Sequence, residues 1–240
     1  MGAQWKHANK ADKSASKGAV VHKLSKEIQV AARLGDPNPE NNARLRAAVE
    51  AARKHSVPKD TIERAIKKGA GLLDDQAQFE SVTYEGFAPH QIPVIVECLT
   101  DNKNRTATEI RMLFKKGSLG SIGSVGWMFD RMGTIEASNK DKSLDIESVA
   151  IEAGAQNVEP LAKGEIPEGH VGALFICDPT DLDTVNKFLT KGGWTITHSE
   201  LSYIAKSFPE LTAEQKKEVG DFLSEIDDFD DVHRVYAALK

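Results

Sequence analysis

The stretch WTITHS (194–199), directly after a pair of glycines, reads as a strand. It follows TDLDTVNKFLTKGG (180–193), where Leu182, Val185 and Leu189 recur at helical spacing and the glycines stop the helix. Upstream lie VGALFICD (171–178), a strand interior, and NVEPL (157–161), a short strand. A helix over 144–154 carries Leu144, Val149 and Ile151, and GTIEA (133–137) is a strand. With 194–199 as the last strand the order is βαββαβ, the ferredoxin-like plan.

On the N-terminal side of this block, VGWMFD (125–130) reads as a strand that reaches GTIEA through a tight turn at RMG (131–133). ESVTYEGF (80–87) and IPVIVECLT (92–100) are two strands joined by a turn around Pro89. Thr106 and Glu109 have capping-box spacing, so a helix is expected to begin at Thr106, to point Ile110, Leu113 and Phe114 inward, and to end at Gly117. Asp101, Asn102 and Asn104 are then turn residues. Beyond the block come a helix over LTAEQKKEVGDFLSEI (211–226) and a strand over VHRVYAAL (232–239). Residues 79–130 plus 200–240 are therefore expected to form one α+β domain, interrupted by a ferredoxin-like domain over 131–199.

The first third of the chain is helical. Val21, Leu24, Ile28 and Ala32 mark a helix that stops at Gly35, and Leu45, Val49 and Ala52 mark a second from about Asn42 to His55. PKDTIERAIKKG (58–69) is a short third helix with Ile62, Ala65 and Ile66 on its apolar stripe. Residues 20–78 are thus an α-helical basic domain with a linker, and 1–19 a basic arm. The fold class is α+β with three domains, one helical and two of mixed structure.

Charge is distributed unevenly. Residues 1–70 hold 15 Lys and Arg against 7 Asp and Glu, a balance of +8, while the remainder holds 16 against 29, or −13. Such asymmetry is the pattern of a nucleic-acid-facing module on an acidic body, or of two solvated surfaces of opposite sign. In the arm, Lys6, Lys10, Lys13 and Lys17 are spaced to share one face if it becomes helical against an anion.

Other chemistries find little support. There is no nucleophile elbow, no dinucleotide fingerprint and no His-Glu-x-x-His, and the seven histidines lack metal-ligand spacing. Asp227, Asp228, Asp230 and Asp231 form an acidic run that could hold Mg²⁺ or simply be a solvated helix end. Cys98 and Cys177 sit in apolar segments, as buried thiols do. No apolar run approaches the roughly 20 residues of a membrane helix, and the N-terminus has no apolar signal core. The expectation is a cytoplasmic, non-enzymatic protein with no cofactor. Two features stay open: GSLGSIGSVG (117–126) is either a flexible connection or a loop whose bare backbone admits a phosphate. Arg105, a cation at a helix start, either pairs with Glu97 or Asp101 or serves a partner.

Three long motifs occur in order: VPKDTIERAIKKG (57–69), YEGFAPHQIPVIVECLTDNKNRTATEIR (84–111) and GSLGSIGSVGWMFDRMGTI (117–135). With them the chain resembles the YebC/PmpR family from about residue 5 to its end. The resemblance implies a helical N-terminal domain and two α+β domains around a cleft. It also implies a regulator that binds DNA; some members are translation factors acting at the ribosome on stalled or proline-rich nascent chains, and a mitochondrial relative activates translation of cytochrome c oxidase subunit I. The N-terminus departs from the family pattern: GAQWKHANKADKSASKG (2–18) keeps the Trp and several lysines but has no arginine. Backbone contacts survive that change better than base readout does.

The expected partner is therefore nucleic acid, duplex DNA or ribosomal RNA. The expected contacts are Lys6, Lys10, Lys13, Lys17, Lys23, Lys26, Arg44, Arg46, Lys59, Arg64, Lys67 and Lys68, with Lys103 and Arg105 as candidate cleft contacts.

Overall fold

In a computed structural model, residues 17–73, 79–161 and 166–239 are described. They fall into two compact units, Asp130–Ile204 and the described part of Gly2–Phe129 with Ala205–Lys240.

In the larger unit, helices α1 (Lys17–Leu34), α2 (Ala43–Lys54) and α3 (Lys59–Gly69) enclose a core of Ile28, Ala32, Leu45, Val49, Ala52 and Ile62. Small residues on the facing stripes let the helices approach closely. Asn42 caps α2 by accepting from the Leu45 amide at 3.0 Å, and its own amide donates to the Ala31 and Asp36 carbonyls, which fixes the α1–α2 turn.

The same unit holds a sheet of four strands in the order β3-β1-β2-β8: β1 Glu80–Ala88, β2 Ile92–Thr100, β3 Ser118–Leu119 and β8 Val232–Ala237. β1 and β2 pair in full antiparallel register from Glu80–Thr100 to Ala88–Ile92. Helices α4 (Lys103–Leu113) and α7 (Ala213–Asp227) supply apolar partners, and Phe114 meets Phe222 edge-on at 5.5 Å.

The smaller unit is β4 (Phe129–Asn139), α5 (Ile146–Ala153), β5 (Asn157–Pro160), β6 (Val171–Cys177), α6 (Leu182–Lys191) and β7 (Thr195–Ala205). Its sheet order, β5-β6-β4-β7, is the ferredoxin-like one. Ile135, Ala137, Ala173 and Phe175 pack with Val185, Leu189 and Trp194.

Three local expectations are corrected. Residues 131–133 are not a turn: they belong to the single strand β4, whose Gly133 pairs with Cys177 and lies too close to that thiol for a side chain. The expected strand at 125 is a short 3-10 turn over Gly126–Met128. Helix α4 begins three residues early, because Asn102 rather than Thr106 caps it, accepting from the Arg105 amide at 3.1 Å. Asn104 is accordingly helical, and Thr106 is buried inside the first turn.

Candidate nucleic-acid interface

The acidic run and the predicted cations meet each other, and this sorts the cations into two groups. Asp231, 4% exposed, is a hub. Lys26 Nζ donates to Asp231 Oδ1 and to the Asp230 carbonyl, both at 2.9 Å, and lies 5.3 Å from the centre of the Phe79 ring. Arg105 Nη2 donates to Asp231 Oδ2 at 2.8 Å and to Asp101 at 2.9 Å. The Thr106 hydroxyl stands 2.8 Å and the Thr100 hydroxyl 3.2 Å from Asp231 Oδ2. Burial alone would raise the Asp231 carboxyl, but hydrogen bonds from Lys26, Arg105 and Thr106 hold it at about 2.

The run therefore divides: the Asp231 carboxylate and the Asp227 and Asp230 carbonyls seat α1, while the Asp228 and Asp230 side chains are exposed at the helix end. Among the described residues no group of His, Cys, Asp and Glu is arranged to hold a metal ion. Lys23 reinforces the seat by donating to the Asp227 carbonyl. Glu27, also buried, receives Arg44 Nε at 2.9 Å and Nη2 at 3.2 Å, with His233 Nε2 3.2 Å away. Burial raises the Glu27 carboxyl, and His233 and Arg44 more than reverse that. Arg46 donates to the Pro39 and Glu40 carbonyls.

Of the expected contacts, then, Lys26 does not lie on an outer face: it is buried in the hub. Lys23, Arg44 and Arg46 are engaged by their own chain. Lys103 pairs with Glu80 at 2.6 Å, and Arg105 makes the internal pair with Asp101, not with Glu97, whose carboxylate accepts from the Tyr236 hydroxyl. Lys59 is fully displayed beside Glu63. Lys6, Lys10 and Lys13 lie outside the described residues, as does the Lys17 side chain at the head of α1.

The second group is outward. Arg64 and Lys67, one helical turn apart on α3, are exposed and make no ion pair among the described residues. Arg53, in the last turn of α2, is exposed in the same way. Lys68 is half-buried beside them. Arg53 is absent from the sequence-based set. Its off-stripe position in ARLRAAVEAARK was the available signal.

The glycine loop has the structure of an anion cradle that is already filled. Glu85 Oε1 accepts from the Gly123 amide at 2.9 Å, and Oε2 accepts from Val125 and Gly126 at 2.8 and 2.7 Å. Burial raises the Glu85 carboxyl, and the three amides bring it below its ordinary range. The glycines have local reasons: a Cβ on Gly117 would stand 2.1 Å from the Phe87 carbonyl oxygen, and Gly123 has φ +87°. These amides face Glu85, so a phosphate does not reach them. Glu85→Ala is expected to cost about 2–4 kcal/mol, the loss of charge-assisted bonds with three amides left unpaired. Urea denaturation measures it, and a cost under about 0.5 kcal/mol would mean the carboxylate does not hold the loop.

Comparison with known proteins agrees with this architecture. Residues 2–72 match the family described as "TACO1/YebC protein N-terminal domain", and residues 79–239 match "TACO1/YebC second and third domain". A "Probable transcriptional regulatory protein" of Bdellovibrio bacteriovorus is 52% identical over 241 residues, covering 100% of both chains. One of Pseudomonas syringae pv. syringae is 52% identical over 240 residues, covering 100% of this chain and 99% of the relative. Among solved structures, a conserved hypothetical protein of Aquifex aeolicus superposes with a TM-score of 0.82 at 38% identity, over 96% of this chain and 94% of that one. Motifs, fold and full-length similarity together place this chain in the TACO1/YebC family.

Proposed function

We propose that this protein is a non-enzymatic regulator that binds duplex DNA through its basic N-terminal region, in the transcriptional role that its relatives' names carry. One observation carries the reading. In a module where Lys26 and Arg44 are held by buried acids and Arg46 by backbone carbonyls, Arg53, Arg64 and Lys67 stand exposed with no ion pair among the described residues, and residues 1–19 supply four lysines. Phosphate neutralisation needs cations of this kind, solvated and unengaged. Lys26, Arg105 and Arg44 cannot be borrowed without taking partners from the buried Asp231 and Glu27. Among the described residues no helix is long and apolar enough to cross a membrane.

A second reading, binding of ribosomal RNA in a translational role, is favoured by the exposed Trp127 and Ile122 on the glycine loop, since irregular RNA is recognised by stacking. Co-sedimentation with purified ribosomes at moderate salt, with promoter-length duplex DNA as competitor, decides between them. Release by stoichiometric DNA supports the duplex reading. Ribosome association that DNA does not displace overturns it in favour of the second.

A further inference from the structure

Beside the filled glycine cradle runs a shallow groove walled by Arg111, Phe114, Lys115 and the backbone of 117–121. Arg111 and Lys115 are exposed and have no ion pair among the described residues, unlike Lys116, which pairs with Glu225 at 2.9 Å. The loop that forms one wall continues into Ile122, 90% exposed, and Trp127, 66% exposed. Together they leave two large apolar side chains open to solvent on one short loop. The indole is also held: Trp127 Nε1 donates to the Ser124 carbonyl at 3.2 Å, and the adjacent Gly126 amide is fixed by Glu85. The polar edge of the ring is thus satisfied while much of its apolar surface stays in water.

We infer that the glycine loop and the Arg111–Lys115 groove form a binding site for single-stranded nucleic acid, in which a base stacks on Trp127 and the neighbouring phosphates lie along Arg111 and Lys115. The inference rests on the nucleic-acid reading above and adds a second surface to it, on the sheet domain. Three physical features select this ligand. A flat, pre-oriented aromatic ring offers stacking to any base at small entropic cost. Two unengaged cations supply the electrostatic attraction a phosphate backbone needs. The carboxylate held by the loop, Glu85 of β1, is saturated by amides inside the cradle and does not present its charge to the groove. A duplex, whose bases are already stacked and paired, has no base to give Trp127, so the site separates single from double strands.

The test uses the full chain carrying Trp5→Phe. Of the two tryptophans that remain, Trp194 is 4% exposed in a core, so quenching by a ligand reports Trp127. Probes are oligo(rU) and oligo(dT) of about twelve nucleotides, and a duplex of the same length. Saturable quenching by the single strands is expected. In anisotropy, Trp127→Ala should weaken single-strand binding about 5- to 100-fold, leave duplex binding unchanged, and be largely rescued by Trp127→Phe. Replacing Arg111 and Lys115 by Ala should flatten the single-strand salt slope by about 1.4, the effect of two phosphate contacts. Preference for oligo(rU) over oligo(dT) would identify RNA as the source, and equal affinity a single strand of either kind. If Trp127→Ala binds single strands as its parent does while duplex binding still depends on Arg53, Arg64 and Lys67, the site proposed here is overturned alone. If the parent binds neither form, the nucleic-acid reading falls with it.

Discussion

Asp231→Ala should lower the stability of the unit that holds it by about 3–5 kcal/mol, the cost of removing one partner from a buried ion pair. The substitution leaves Lys26 buried with only the Asp230 carbonyl and the Phe79 ring, and strips the Thr100 and Thr106 hydroxyls of their shared acceptor. Thermal unfolding is the measurement, with a fall of about 10 °C or more expected for a chain of this size. Asp230→Ala is the control. Its side chain is exposed and its contribution to Lys26 comes from the backbone, so it should cost within about 0.5 kcal/mol. Equal losses in the two variants would contradict the hub. The same carboxylate sets an acid limit. Its folded pKa is depressed from 3.8 to about 2, so the stability it confers is fully present above 3.8 and is lost as pH falls towards 2.

The second large effect concerns binding. Replacing Arg53, Arg64 and Lys67 together by Ala should weaken duplex DNA binding by on the order of tenfold or more at moderate salt. The salt dependence should change as well, the slope of log K against log salt becoming shallower by about 2.7, or about 0.9 for each phosphate contact removed. Stability should barely move, since all three side chains are exposed and none is in an ion pair among the described residues. Lys26→Ala makes the informative contrast. It should destabilise the fold, and any loss of binding should follow unfolding and not a changed slope.

Those two experiments also mark where sequence reasoning reached and where it stopped. Apolar periodicity places the helices and strands because burial is enforced residue by residue: Val185 and Leu189 face Phe175 as their spacing requires. Helix starts were harder. The Thr106–Glu109 spacing mimics a capping box, but Thr106 was needed by Asp231, more than a hundred residues away, and Asn102 took the cap instead. Glycine misleads in the same manner. Gly133 looks like a turn residue, yet it is a strand position where a Cβ would meet the Cys177 thiol. For the charges, a one-dimensional count cannot tell a cation that faces water from one that faces an aspartate at the far end of the chain. Lys26 and Lys67 look alike in sequence, and only the folded chain separates them. Trp127 escaped because one aromatic in an apolar segment usually belongs to a core.

Because the basic module is proposed to act through phosphates, its affinity for duplex DNA as a function of salt is the most direct measurement. With about eight cations engaged, from the arm and the outward faces of α2 and α3, log K should fall with log salt at a slope near −7. A slope near zero would contradict the proposal, since binding that ignores salt cannot be built from phosphate contacts.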